Sequence, residues 1–365
     1  MMAEMYEWWF AELKTLSNKK KRLLRENLES AKNIYYIEET QLKGMDFLTD
    51  ADQEILLSKK NISEIEREYD LFRKKNVEFI SYFDQRYPKR LKQIKGAPYA
   101  LYVKGELPKE EAAAVAIVGA RQCSSYGEKM AIEFAEALAA SGVQIISGMA
   151  RGIDGAGQRG ALNVGGQTFA VLGSGPDICY PREHIGLYMD IQNAGGILSE
   201  FSPGTQPLRE HFPARNRIIS GLSDAVLVIE AKPRSGSLIT ADMSLEQGKD
   251  VYALPGPVNS LLSRGCHELI KQGAGILISP EDLLEELKLS HNTGDKLKTV
   301  KNNKIEKVLE TTEDMVYSKC DLYPKSLDCL LKETKLPPDK LMQQIISLIM
   351  KGYLKEVSRN YYIRA

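Results

Sequence analysis

The chain has 365 residues, room for two or three domains, with 49 Lys+Arg set against 49 Asp+Glu and 43% hydrophobic residues. A zero net charge argues against a broad basic face, and no apolar run approaches the length of a membrane span. The acidic, aromatic start Met1-Met-Ala-Glu-Met-Tyr-Glu-Trp-Trp-Phe10 is not a signal peptide.

Residues 1–75 read as a helical domain of SAM-like type, with apolar residues at helical spacing over Tyr6–Leu16, Lys19–Leu28 and Glu64–Phe72. The run Lys19-Lys-Lys-Arg22 reads as a solvated helix face more readily than as a DNA contact. A strand is expected at Val77–Ile80 and another at Leu101–Val103, forming an extension packed on a central sheet. From residue 111 onward, short apolar runs repeatedly open into Gly, Ser or Arg. Val115–Val118 meets Gly119-Ala-Arg121, Ile145-Ile meets Ser147-Gly148 and then Arg151-Gly152, and Phe169–Leu172 meets Gly173-Ser174-Gly175. Gly196–Ser199 meets Glu200–Gly204, Ala225–Ile229 meets Lys232-Pro-Arg-Ser235-Gly236-Ser237, and Val251–Leu254 meets Pro255-Gly256. Helical patterns lie between them, at Ser125–Ala140, Arg182–Asn193, Arg215–Leu222, Leu238–Gln247, Arg264–Lys271 and Pro280–Leu287. This alternation predicts an α/β fold, a Rossmann-like, doubly wound, mostly parallel sheet over 76–288. Its strand-end loops converge on one crevice, and their Gly, Ser and Arg content suits a phosphate.

Residues 289–303 are polar and aperiodic, as a linker is, and 304–365 read as helices followed by a hairpin turning at Ser358–Asn360, a winged helix. Its expected recognition helix carries only Lys340 and Lys351, so protein contact or weak DNA contact suits it equally well. Gly155-Ala-Gly-Gln-Arg-Gly160 matches a dinucleotide fingerprint as a pattern but lacks the strand immediately before it; its glycines fit a closely packed helix. No Walker A pattern occurs. The five cysteines (Cys123, Cys179, Cys266, Cys320, Cys329) form no C-x-x-C and the 4 histidines are dispersed. Reduced thiols, a cytoplasmic setting, and neither metal nor cofactor are expected.

Charge is unevenly spread. Net charge is +2 over residues 1–110, −6 over 111–290 and +4 over 291–365, yet nine of the fourteen basic residues in the acidic middle are Arg. Guanidinium is a planar fork matched to phosphate, so these arginines in strand-end loops point to a focused anion site.

The middle region resembles the DNA-processing protein A (DprA/Smf) family through Ala116-Ile-Val-Gly-Ala-Arg121, Ser147-Gly-Met-Ala-Arg-Gly-Ile-Asp154, Ala170-Val-Leu-Gly-Ser-Gly175 with Tyr180-Pro181, Phe212-Pro-Ala-Arg-Asn-Arg-Ile-Ile-Ser-Gly221, Ser235-Gly-Ser-Leu-Ile-Thr-Ala241 and Ala253-Leu-Pro-Gly256. Asp84-Gln-Arg-Tyr-Pro88 and Leu101-Tyr-Val-Lys-Gly105 also fit. The resemblance implies a non-enzymatic protein that binds single-stranded DNA, forms a homodimer and loads RecA recombinase during natural transformation. Three positions depart from the family pattern: Leu16-Ser-Asn18 stands in place of a Gly-rich hairpin, Pro176 in place of a branched apolar residue and Gly157 in place of Ala.

On this reading the glycines of the Ser147–Asp154 turn and of Gly173-Ser174-Gly175 supply N–H donors, and Arg121 pairs with a phosphate. One of Arg215 and Arg217 enters the crevice while the other braces the fold, with Asn216 between them. Arg182 and Arg209 extend the rim. Phe212 either stacks a base or is a buried aromatic, and Asp154 caps its helix and orients Arg151. The alternative is a nucleotide-binding enzyme of the phosphoribohydrolase type, with Glu200 or Glu230 as its carboxylate.

Overall fold

A computed structural model describes residues 2–287 and 311–364, and the chain forms two compact units centred on those two stretches. The expected linker at 289–303 and the start of the helix expected from Ile305 lie outside the described residues.

The first unit opens with six helices: α1 (Met2–Glu12), α2 (Asn18–Leu28), α3 (Ala31–Tyr36), α4 (Glu39–Lys43), α5 (Asp50–Ser58) and α6 (Ile62–Arg73). The three between residues 31 and 58 are too short to show helical periodicity in the sequence. Two of them are fixed by caps instead, at α3, where Ser30 accepts from the N–H of Asn33, and at α5, where Thr49 forms a reciprocal box with Asp52. Trp8, Trp9, Phe10, Leu24, Ile34, Leu42 and Leu56 fill their common core, and that core continues onto Phe79, Tyr99 and Tyr102 of the adjoining sheet.

That sheet has nine strands, from β1 (Glu78–Ser81) and β2 (Ala100–Gly105), with the short α7 (Lys89–Lys92) between them, through β3 (Ala114–Val118), β4 (Gln144–Ser147), β5 (Thr168–Val171), β6 (Gly196–Ser199), β7 (Ala225–Val228) and β8 (Asp250–Ala253) to β9 (Gly275–Ile276). Helices α8 (Ser125–Ala140), α9 (Ile153–Asn163), α10 (Ile185–Ala194), α11 (His211–Leu222), α12 (Gly236–Glu246) and α13 (Leu261–Lys271) connect the strands from β3 to β9, and α14 (Pro280–Glu286) follows. Spatial order is β1-β2-β6-β5-β4-β3-β7-β8-β9. β3 to β9 pair in parallel, and β2 joins β6 antiparallel, as β1 joins β2. The order in which strands are added therefore reverses between β3 and β7, the doubly wound pattern. The run Ala114-Val-Ala-Ile-Val118 is buried throughout, because a central parallel strand is covered on both faces. Helix α8 ends in a left-handed turn at Gly142 (φ +84°), with Val143 N–H on Leu138 O at 3.0 Å.

The second unit contains α15 (Thr311–Lys319), α16 (Leu327–Thr334), α17 (Pro338–Met350) and a three-stranded antiparallel sheet of β10 (Lys325–Ser326), β12 (Tyr361–Arg364) and β11 (Leu354–Ser358). Leu330, Leu341, Ile345, Leu348 and Tyr362 form its core. The hairpin turns through Asn360 at φ 61°. No described helix is long and apolar enough to cross a membrane.

Candidate functional site

Because β3 to β8 run parallel, all six loops singled out in the sequence leave the same edge of the sheet. They do not all line one pocket. A small cleft is bounded by Arg121, Gly148, Ala150, Arg151, Tyr180, Pro181, Phe212 and Arg215, which come from the loops after β3, β4 and β5 and from the first turns of α11. The loops after β7 and β8 lie on the far side of β3, across the reversal, so Lys232, Ser235, Gly236 and Ser237 are absent from it. Ser235 and Ser237 hydroxyls meet each other at 2.8 Å, and Asn216 Nδ2 donates to Gly236 O at 3.3 Å.

The turn after β4 is held from within. Ser147 is fully buried and its Oγ donates to Ile117 O at 2.6 Å. The N–H of Gly148 donates to Asp154 Oδ2 at 3.2 Å. The loop after β5 is closed in the same way: Ser174 Oγ donates to Ile178 O at 3.2 Å, and Gly175 N–H to Thr205 O at 2.8 Å. The N–H groups of Gly148 and Gly175, expected to meet phosphate, are thus spent inside the loops, since buried polar groups must be paired. Cationic side chains, Arg121, Arg151 and Arg215, line the cleft and can meet an anion. The glycines serve close approach: a Cβ on Gly148 would lie 2.5 Å from the Arg215 guanidinium, and one on Gly173 would lie 3.1 Å from the Phe212 ring. A Cβ on Gly119 would lie 2.6 Å from Ile153.

Gly152 carries the strictest demand. It sits at φ 72°, ψ −127°, and an added Cβ would stand 2.3 Å from Ala120 O. Gly152→Ala is expected to destabilise the protein by about 2–4 kcal/mol, read as a lowered urea midpoint at constant slope. A midpoint within error of the parent would show that the turn relaxes freely.

Arg215 forms the floor of the cleft. It is 4% exposed, and its Nη1 donates to Gly148 O at 3.0 Å and also to Val171 O. Burial lowers its pKa to about 10, so it stays cationic at neutral pH. Asp154 beneath the turn is also buried. Burial raises its pKa, and the charge of Arg215 and the N–H of Gly148 oppose that rise. The cation whose charge favours ionised Asp154 is thus Arg215, and not Arg151 as in the sequence reading. Arg151 lies at the rim and pairs with Glu183. The expected division between Arg215 and Arg217 also resolves. Arg217 is the brace, donating to both Glu200 oxygens at 2.7 and 2.6 Å and to Gly96 O at 2.9 Å.

At the mouth the Arg121 guanidinium stands 5.4 Å from the centre of the half-buried Phe212 ring, and Phe212 packs on Tyr180 at 5.5 Å. Tyr180 is 41% exposed, which leaves an aromatic surface open to solvent beside two rim arginines. Sequence reasoning gave Tyr180 no role, although an aromatic directly before Pro181 and close after Gly173-Ser174-Gly175 was the available signal. Arg182 and Arg209 are exposed outside the cleft. In α9, Gly157 packs against β3 and Gly160 against α8, with added Cβ atoms 3.0 Å from Ile117 and 2.6 Å from Ile132 O respectively; these fingerprint-like glycines serve packing.

Residues 78–288 match the family model of DNA recombination-mediator protein A. The chain belongs to that family. Among its relatives, Protein Smf of Escherichia coli (strain K12) is 50% identical over 202 residues, 55% of this chain and 54% of that protein. DNA processing protein DprA of Streptococcus pneumoniae is 46% identical over 207 residues, 57% of this chain and 73% of that protein. The match thus spans about half the length of the first of these relatives. A crystal structure of the Streptococcus pneumoniae DNA processing protein A superposes with a TM-score of 0.68 at 36% identity, covering 77% of this chain and 97% of that one. DNA processing protein A from Helicobacter pylori, described as having a unique single-stranded DNA binding mode, gives a TM-score of 0.53 at 29% identity and covers 58% of this chain and 95% of that one. Family membership and fold thus agree with the motifs in the strand-end loops.

Proposed function

We propose that this member of the DNA recombination-mediator protein A family binds single-stranded DNA in the Arg121–Arg151–Arg215 cleft and catalyses no reaction there. The observation that carries the reading is a guanidinium over an aromatic ring at a partly exposed mouth, Arg121 on Phe212 beside Tyr180. Single-strand sites pair such stacking platforms with phosphate-binding cations. The enzymatic alternative loses its first carboxylate, since both Glu200 oxygens are held by Arg217. Affinity should fall with salt and rank single strand above duplex, with mononucleotides weakest. Arg121→Ala should lose about one phosphate's share of the salt slope, on the order of 0.7. A salt titration comparing the three ligands tests this, and an unchanged slope in the variant would remove Arg121 from the site.

The second unit we read as a winged helix appended to the single-strand site, and the protein as a cytoplasmic homodimer that delivers the strand to RecA. Exposed Val258 (83%), Ile276 (56%) and Ile278 (77%) around the β9 edge offer an apolar surface for a second copy. A truncation ending near Ser290 should retain most single-strand affinity. Light scattering of that truncation, alone and mixed with RecA, reads both associations; a monomer that leaves the RecA mass unchanged would refute them.

A further inference from the structure

The crevice edge of the sheet does not end at β6. Ser81 pairs with Ala100, and Tyr102 pairs with Ser199, so the end of β1 and the start of β2 emerge on the same edge as the end of β6. Two half-buried aromatics, Tyr82 and Phe83, follow β1 directly and meet at 5.4 Å. Four cations surround them. Arg22 lies 5.1 Å and Lys92 5.2 Å from the centre of Tyr82, Arg25 lies 4.7 Å from that of Phe83, and Lys21 lies beneath, 5.9 Å from Tyr99.

Two of these cations belong to the seam between the helices and the sheet. Lys21 is buried and donates to Ala11 O, and Arg25 pairs with Glu7. The other two form no ion pair among the described residues, although Lys92 lies near enough to Asp84 to help lower its pKa. Nearby carboxylates are engaged elsewhere, Asp84 with Arg86 and Glu200 with Arg217, and among the described residues none lies within ion-pair distance of Arg22 or Lys92. The patch lies on the same edge of the sheet as the cleft. Arg217 Nε and Arg22 Nη1 donate to consecutive carbonyls, Gly96 O and Ala97 O, each at 2.9 Å. Arg215 stands two residues before Arg217 on α11. Arg217 faces away from Arg215 and is held by Glu200, so what joins the cleft to the patch is the shared edge of the sheet, from β4 past β6 to Tyr82. From β4 to β1 it crosses four strand spacings, about 19 Å, a span that suits a strand engaging several nucleotides.

We propose that Arg22, Lys92, Tyr82 and Phe83 form a second contact for single-stranded DNA, which takes the nucleotides running out of the cleft toward the helical domain. Phosphates meet Arg22 and Lys92, and a base packs against the Tyr82–Phe83 pair. The inference rests on the single-strand reading of the cleft, and oligonucleotide length separates the two. An oligo-dT of about 6 nucleotides fills the cleft alone, whereas one of about 20 reaches both contacts.

Lys92→Glu should leave affinity for the short oligomer within about twofold and weaken the long one by about 5–20-fold at low salt, with a shallower salt slope. Arg22→Gln should act in the same direction, with thermal melting reporting whether its bond to Ala97 O is needed for folding. A long oligomer carrying 5-iododeoxyuridine should photo-crosslink to Tyr82 or Phe83. Equal long-oligomer affinities in parent and Lys92→Glu, with crosslinks confined to Tyr180 and Phe212, would overturn the second contact and leave the cleft standing. Failure of the parent to bind either oligomer would overturn both.

Discussion

Arg215→Met is expected to cost about 3–5 kcal/mol of folding stability and to abolish the floor of the proposed single-strand site. The substitution keeps most of the side-chain volume, so the loss is electrostatic. Gly148 O and Val171 O forfeit a charged donor, and buried Asp154 forfeits the cation whose charge offsets its burial. The pH dependence follows from the direction of the Asp154 shift. Its folded-state pKa is raised above 3.8, so the folded protein holds that proton more tightly than the unfolded chain. The group favours folding at low pH, and that contribution is lost as pH rises from 3.8 through the raised value. Removing the Arg215 charge raises the folded pKa further, so the variant should be least impaired in acid and most impaired near neutrality. Asp154→Asn in the same background should flatten that dependence and recover part of the stability. Denaturant midpoints of the single and double variants at several pH values measure all of this. A variant as stable as its parent at pH 7 would show that the buried guanidinium is dispensable.

The second large effect concerns Phe212. Stacking of a base on an aromatic is worth about 1–3 kcal/mol, so Phe212→Ala should weaken single-strand affinity by roughly 5–150-fold. It carries no charge, so the salt slope should stay with the parent, the reverse of the pattern expected for Arg121→Ala. Phe212→Tyr should keep most of the affinity. Phe212 also packs on Gly173 and Tyr180, so a melting curve must accompany the titration. Parent-like affinity in a folded Phe212→Ala protein would reduce the ring to a support for Arg121.

Local chemistry was legible in the sequence wherever it recurs at short range. Branched apolar runs such as Ala114–Val118 and Gly-rich turns such as Met149-Ala-Arg-Gly152 specify strand and turn by themselves, since φ 72° at residue 152 admits little but glycine. Strand–helix alternation then leaves few topologies, and a mostly parallel sheet with one reversal is among them. Short helices were not legible, because six residues at Ala31–Tyr36 or five at Glu39–Lys43 span less than two turns.

What only the tertiary structure decided is which polar group faces which neighbour. Arg215 and Arg217 are two positions apart on α11, about 200° around its axis, so they must point to opposite sides. Sequence shows that they separate, but not which side faces the crevice. That choice belongs to the packing of α11 on the sheet, which sets Arg215 on Gly148 O and Arg217 on Glu200. The same holds for Asp154: its sequence neighbour Arg151 is drawn outward to Glu183, and the charge that balances its burial comes from Arg215, distant in sequence. Long-range pairings of this kind depend on desolvation and on which loops the strand order brings together, and neither is encoded in residue spacing.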